Sequence, residues 1–463
     1  MSGVDPFENR MKSMLAGVSP AARALLARGA DRAIASGSDS IVPLPLKAAG
    51  REPRPTQVAI SEARDSPREP ESVRDAFFQP ILPFICRARM PGREPGRIPW
   101  HDCERIWTWI SRDLGRAEIE ATERKTPALG SGLRDTLLAR AHEAAGGVES
   151  STLGRRRLAT QIGTDDGYAI LSDILAAFSH AGWVSGAIDS LPPSLTREYI
   201  DRRPSVLSAL AGAIREHRAE GAWLYSAVLT RLDSPGSLAR IAVLLANTDR
   251  DEELALNPHG PAIDILLSEI EIEVERLHAL RAARAPVSAL ERSVARYRQL
   301  VRDLSAEVDL RQNTRWSRRL SAAKVSASAQ LEQEVTRADG LTRQVLRTRL
   351  VTGDVPTLHA DILDDAERAL RVLNVATNAA DVLSLNALIA AARRDIDRAF
   401  EALIDPLINA LRTTQGEERE KHLARCDGAI RLAGIHYGPD FEAILQRSRN
   451  VAISGRAKVP ASH

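Results

Sequence analysis

The chain has 463 residues, is 44% hydrophobic and 27% charged, and carries a net charge of +2. It is long enough for two or three domains and apolar enough to bury a core. A dedicated nucleic-acid binder usually carries a clear basic excess, so the near-neutral balance argues against that role for the chain as a whole.

Residues 1–75 read as a mostly disordered tail. Thirteen of the 25 prolines precede residue 100, and large apolar side chains are too sparse to offset the entropy of ordering. One short helix is plausible at 20–35, where Ser19 can cap, Pro20 suits the first turn, and Leu25, Leu26 and Ile34 form a stripe. The start of the chain has Asp5 and Glu8 and no uninterrupted apolar run, so a signal peptide is not expected.

Residues 76–150 read as an aromatic docking arm followed by a capped helix. Phe77, Phe78 and Phe84 lie in "FFQPILPFI", where Pro80 and Pro83 rule out a regular helix interior, so an extended segment laid into a groove is expected. Asp102 is placed to cap the helix that follows. On that helix Cys103, Ile106, Trp107, Ile110 and Leu114 share a face, while Trp109 falls nearly opposite. Phe77, Phe78, Phe84, Trp107 and Trp109 are therefore the candidate docking residues. They either complete the chain's own core or anchor a partner, with Trp109 as the outward ring.

Residues 155–260 read as an array of short helices. Thr164, Ser194, Pro204 and Ser234-Pro235 are the expected openers, and no fixed-period repeat is present. The most apolar window, 170–188, contains Asp173 and His180. A membrane-spanning helix needs about 20 apolar residues with almost no charge, so this window reads as a buried helix ending near Gly182.

Residues 261–352 read as long, coiled-coil-like helices. Ile263, Leu267, Ile270, Val274 and Leu277 alternate by four and three. After a break near Pro286, Val287, Leu290, Val294, Tyr297, Val301, Leu304 and Val308 keep a strict 3-4 spacing. This is the strongest periodic signal in the chain and predicts a seam for self-association or for intramolecular packing. The change of register across Pro286 predicts a bend or an antiparallel hairpin. Gly353 and Pro356 then break the pattern, residues 357–450 read as a C-terminal helical region kinked at Pro406, and 454–463 as a loose tail.

Chemistry-bearing motifs are weak. Arg311, Arg315, Arg318 and Arg319 surround Trp316 and could bind phosphate or nucleic acid, although a salt-bridged face is the simpler expectation. Glu275 and His278, with Glu271 a turn earlier, make half of a di-metal ligand set, and Cys86, His101 and Cys103 lack the spacing of a closed zinc site. No nucleotide, hydrolase or calcium-loop signature occurs, so no catalytic residue, cofactor or metal is assigned. An active site assembled from dispersed residues would leave no such signature.

Three cysteines without a CxxC suggest a reducing cytoplasm. The 57 Arg among 63 basic residues, with abundant Ala, suggest a GC-rich bacterial source. The sequence thus predicts an all-α protein with a disordered Pro-rich tail, no membrane span, and a non-enzymatic interaction or scaffold role with a protein partner or with itself. Nucleic-acid binding and a dispersed enzyme site are the alternatives.

Overall fold

The computed structural model describes residues 72–124, 131–347, 355 and 357–454, and these are helical almost throughout. The expected tail helix at 20–35, the Gly353/Pro356 break itself and the segment from 455 lie outside the described residues. No helix among the described residues is long and apolar enough to cross a membrane. The chain divides into two units, with described residues 72–284 and 293–326 in one and 285–292 and 327–454 in the other.

In the first unit the docking arm is not extended. Ser72 caps helix α1 (Val73–Phe78), and a 3-10 helix over Gln79–Phe84 follows at once. Pro80 sits in its first turn, where a missing N–H has no partner to lose, and the tighter winding accommodates Pro83. Two strands of two residues, β1 (Ile85–Cys86) and β2 (Ile98–Pro99), pair in parallel across the connector. Helix α2 (Trp100–Trp109) has Pro99, not Asp102, at its N-cap; Asp102 is buried in the first turn. A π-helical turn (Ile110–Leu114) leads to α3 (Arg116–Glu123).

The array that follows is α4 (Ser131–Gly146), α5 (Thr152–Ile162), α6 (Gly167–Asp189), α7 (Arg197–Arg202), α8 (Pro204–Glu216), α9 (Gly221–Leu229), α10 (Ser237–Ala246) and α11 (Asp251–Ala255); all are short except α6, which runs for 23 residues. Thr196 caps α7 through its side chain, two residues after the expected Ser194, because its hydroxyl reaches the Tyr199 amide. Helix α6 starts after Asp166 rather than Thr164 and continues past Gly182 and Gly186 to Asp189, since isolated glycines inside a helix weaken it without ending it. Nearly every residue of α9 is buried, and it packs against α6 and α12 (Pro261–Ala282). The core of this unit lies there.

Helix α13 (Val287–Glu307) returns antiparallel to α12, with Ser293 opposite Glu273 and Arg296 opposite Glu269 and Glu273. The expected hairpin at Pro286 is thus formed. Gly96, in the arm's connector, has φ +80°, and a Cβ there would lie 2.5 Å from the Ala222 carbonyl oxygen at the start of α9. Only glycine permits that approach.

In the second unit, α14 (Arg315–Leu346, from residue 327), α15 (Ala360–Asn378), α16 (Asn386–Thr413), α17 (Gly416–Tyr437) and α18 (Pro439–Ser454) form a helical bundle around α17. Buried Arg425 donates to the Gln344 and Val345 carbonyls at 2.7 and 3.0 Å, satisfying the last turn of α14. Helix α16 continues through Pro406. His436 Nε2 and Tyr437 OH both reach Asp397 Oδ1, at 3.0 and 2.9 Å.

Candidate functional site: an aromatic–imidazole platform

The docking arm finds its groove within the same chain. Phe77, Phe78 and Phe84 are at most 1% exposed. Phe77 packs on Phe178 of α6 and on Trp107, with ring centroids 5.2 and 5.4 Å apart, and Phe84 packs edge-on against Trp223 of α9 at 5.0 Å. Trp109, expected to face outward, is buried at 2% exposed, whereas Trp107 is only partly buried. Helix α2 contacts both α5 and α6, so it has no free apolar face and each side receives a ring.

The seam is likewise covered within the chain. Leu290, Val294, Tyr297, Val301, Leu304 and Val308 are all buried, and Val287, at the first position of α13, is partly buried. Polar contacts reinforce the hairpin and tie the arm's connector to it. Ser293 Oγ donates to Glu273 Oε2 at 2.9 Å, Arg296 Nε lies 3.0 Å from Glu273 Oε1, and Arg97 pairs with Glu269. Burial pushes the Glu273 carboxyl up while Arg276 and Arg296 pull it back. Removing one partner of such a pair leaves a buried charge and costs about 3–5 kcal/mol.

The arginine cluster is paired with acids, although Arg311, Arg315 and Arg318 keep much of their surface in solvent. Arg311 pairs with Glu252 at 3.1 Å, Arg315 with Asp264, and Arg319 with Asp264, Glu271 and Glu94 at 3.1, 2.9 and 2.9 Å. Trp316 is buried and donates its indole N–H to Asp264 Oδ1 at 2.8 Å. Exposed Arg318 turns its Nε back to the Thr314 carbonyl. These acids lie about 50–60 residues away on α11 and α12, or, for Glu94, 225 residues away in the arm's connector, so linear spacing did not reveal them.

Among the described residues, no group of three or more His, Cys, Asp or Glu is arranged to hold a metal ion. Glu271 is engaged by Arg319, and Glu275 faces Arg89 at 3.7 Å. Cys86, Cys103 and Cys426 are free and buried, and burial pushes the Cys103 and Cys426 thiols up, the latter to about 12. Such thiols are poor nucleophiles and poor ligands.

A second group of partly exposed rings, besides Trp107, lies elsewhere. Trp183 of α6 stacks face to face on His217, just after α8, with centroids 4.0 Å apart and planes at 11°. Its indole N–H points to His180 Nδ1 at 3.3 Å, and His180 lies tilted over Trp223 at 5.6 Å. All four side chains are partly exposed. Burial lowers the proton affinity of His180, as does nearby His217, while Glu220 opposes both. By contrast, the Trp100 ring is flanked by Arg74 and Arg87, at 5.1 and 5.3 Å. His180 and Trp183 are one helical turn apart and could have been paired from sequence. The arrival of His217 and Trp223 depends on how α6, α8 and α9 pack. No protein family, curated protein or solved structure matches the chain.

Proposed function

We propose that the chain is a non-enzymatic helical interaction protein that engages a protein partner through the platform of His180, Trp183, His217 and Trp223. The observation that carries this reading is the stacked, partly exposed Trp183–His217 pair backed by Trp223. Trp dominates interface hot spots because it offers a large rigid surface with one polar handle. In this reading the seam and the arm build the scaffold, and the platform is what it displays. A protein partner is favoured over nucleic acid, because the arginines that the sequence offered to phosphate, Arg311, Arg315 and Arg319, already face carboxylates. Three free, buried cysteines suit a reducing cytoplasm.

The test is affinity purification from the native host with quantitative mass spectrometry, comparing the wild type with Trp183→Ala/His217→Ala. The double variant should keep its helicity and lose the co-purifying protein by about tenfold or more, as expected for removal of a hot-spot residue. Equal recovery by both forms would contradict the reading.

A further inference from the structure

We propose that the connector 91–97 is a proton-operated latch, in which Glu94 fastens the arm to helices α12 and α14 in mildly acidic conditions and loosens it in mildly alkaline ones. The geometry is that of an unbalanced charge cluster. Glu94 Oε2 lies 2.9 Å from Arg319 Nη2, and the same guanidinium holds Glu271 at 2.9 Å and Asp264 at 3.1 Å. Arg315 also pairs with Asp264. Three carboxylates thus face two guanidiniums, which leaves one excess negative charge when all are ionised. The acids that meet Arg319 are largely buried, with the side chains of Glu94, Asp264 and Glu271 10%, 15% and 24% exposed, whereas Arg315 stays mostly in solvent and so compensates them weakly. An uncompensated charge in such surroundings favours uptake of a proton.

The other charged groups of the connector have partners of their own. Arg93 binds Asp173 of α6, and Arg97 binds Glu269 of α12. Helix α9, which meets the connector at Gly96, presents the Ala222 carbonyl and the Trp223 amide there. The proton therefore falls to Glu94, whose carboxyl is pushed up by burial to about 7, with Asp264 and Glu271 adding to the rise and Arg319 opposing it. The sign follows. A carboxyl whose folded value lies above its ordinary 4.5 stabilises the docked state fully below about 4.5, and that contribution is lost as pH rises through about 7.

Hydrogen exchange of the full chain reads the latch directly, because the Arg97 amide donates to the Glu94 carbonyl at 3.0 Å. Protection of peptides covering 92–98, corrected for intrinsic exchange, should fall about tenfold or more between about pH 6 and about pH 8.5. Glu94→Gln, which removes the titrating group and keeps its shape, should make protection independent of pH over that range. Glu271→Gln should move the fall to lower pH by removing a neighbouring negative charge. Wild-type protection that stays constant, the same fall in Glu94→Gln, or no displacement in Glu271→Gln would each overturn the proposal.

Discussion

Trp107 and Trp109 are two residues apart, yet they occupy different environments. Trp109 is 2% exposed and Trp107 packs on Phe77 while keeping part of its surface in solvent. Trp109→Ala should therefore cost about 3–5 kcal/mol in chemical denaturation, as for other fully buried large rings, and Trp107→Ala distinctly less. Equal losses would mean that both rings are buried alike. Helical spacing assigns each ring a side but not a neighbour, so spacing alone leaves Trp109 facing outward. In the second unit, Asp397 makes a separate residue-level case. Burial would raise its carboxyl, but the hydrogen bonds from His436 and Tyr437 outweigh burial and hold it below the ordinary 3.8. A lowered carboxyl contributes stability that is present above its unfolded value and lost as pH falls through its folded one. Asp397→Asn should accordingly lower the melting temperature at neutral pH, with the difference from wild type shrinking below about pH 4. A difference that persists unchanged in acid would contradict the role.

At the scale of elements, the antiparallel hairpin of α12 and α13 organises the first unit. Val294 and Val301 are 2% and 1% exposed, and a carboxylate at either position would be desolvated without a partner. Val294→Asp combined with Val301→Asp should abolish cooperative folding of that unit in circular dichroism. Ala295→Asp, on the exposed side of the same helix, should change stability by no more than about 0.5 kcal/mol. A folded double variant with the wild-type melting curve would show that the seam is not core. The connector offers a second handle on the same architecture. Gly96→Ala forces a left-handed backbone on an L-residue, which costs about 1–2 kcal/mol, and adds a clash with the Ala222 carbonyl. The seam and the hairpin break were legible because apolar spacing and Pro286 are local signals. The 3-10 helix over Gln79–Phe84 was not, because proline excludes an α-helix interior without choosing between the remaining conformations. Helix α17, Gly416–Tyr437, also carries little linear signal. Its apolar residues are distributed around it, and it sits among α15, α16 and α18.

At the scale of the molecule, the features that stand out in the sequence lie inside the chain. The aromatic arm fills a groove, the seam closes a hairpin, and the arginine cluster answers acids of α11, α12 and the arm's connector. The candidate site lies in what those elements leave outside, a pair of Trp and a pair of His drawn from two separate helices, α6 and α9, and the connector after α8. Only the His180/Trp183 half of that set was legible, because the other half depends on tertiary packing. Hydroxyl-radical footprinting of all six tryptophans, in the free chain and in the complex isolated from its native host, tests the account most directly. Trp109 and Trp316 should label slowly in both samples, and Trp183 and Trp223 should label readily in the free chain and become protected in the complex. Labelling of Trp183 and Trp223 that is unchanged on complex formation would contradict it.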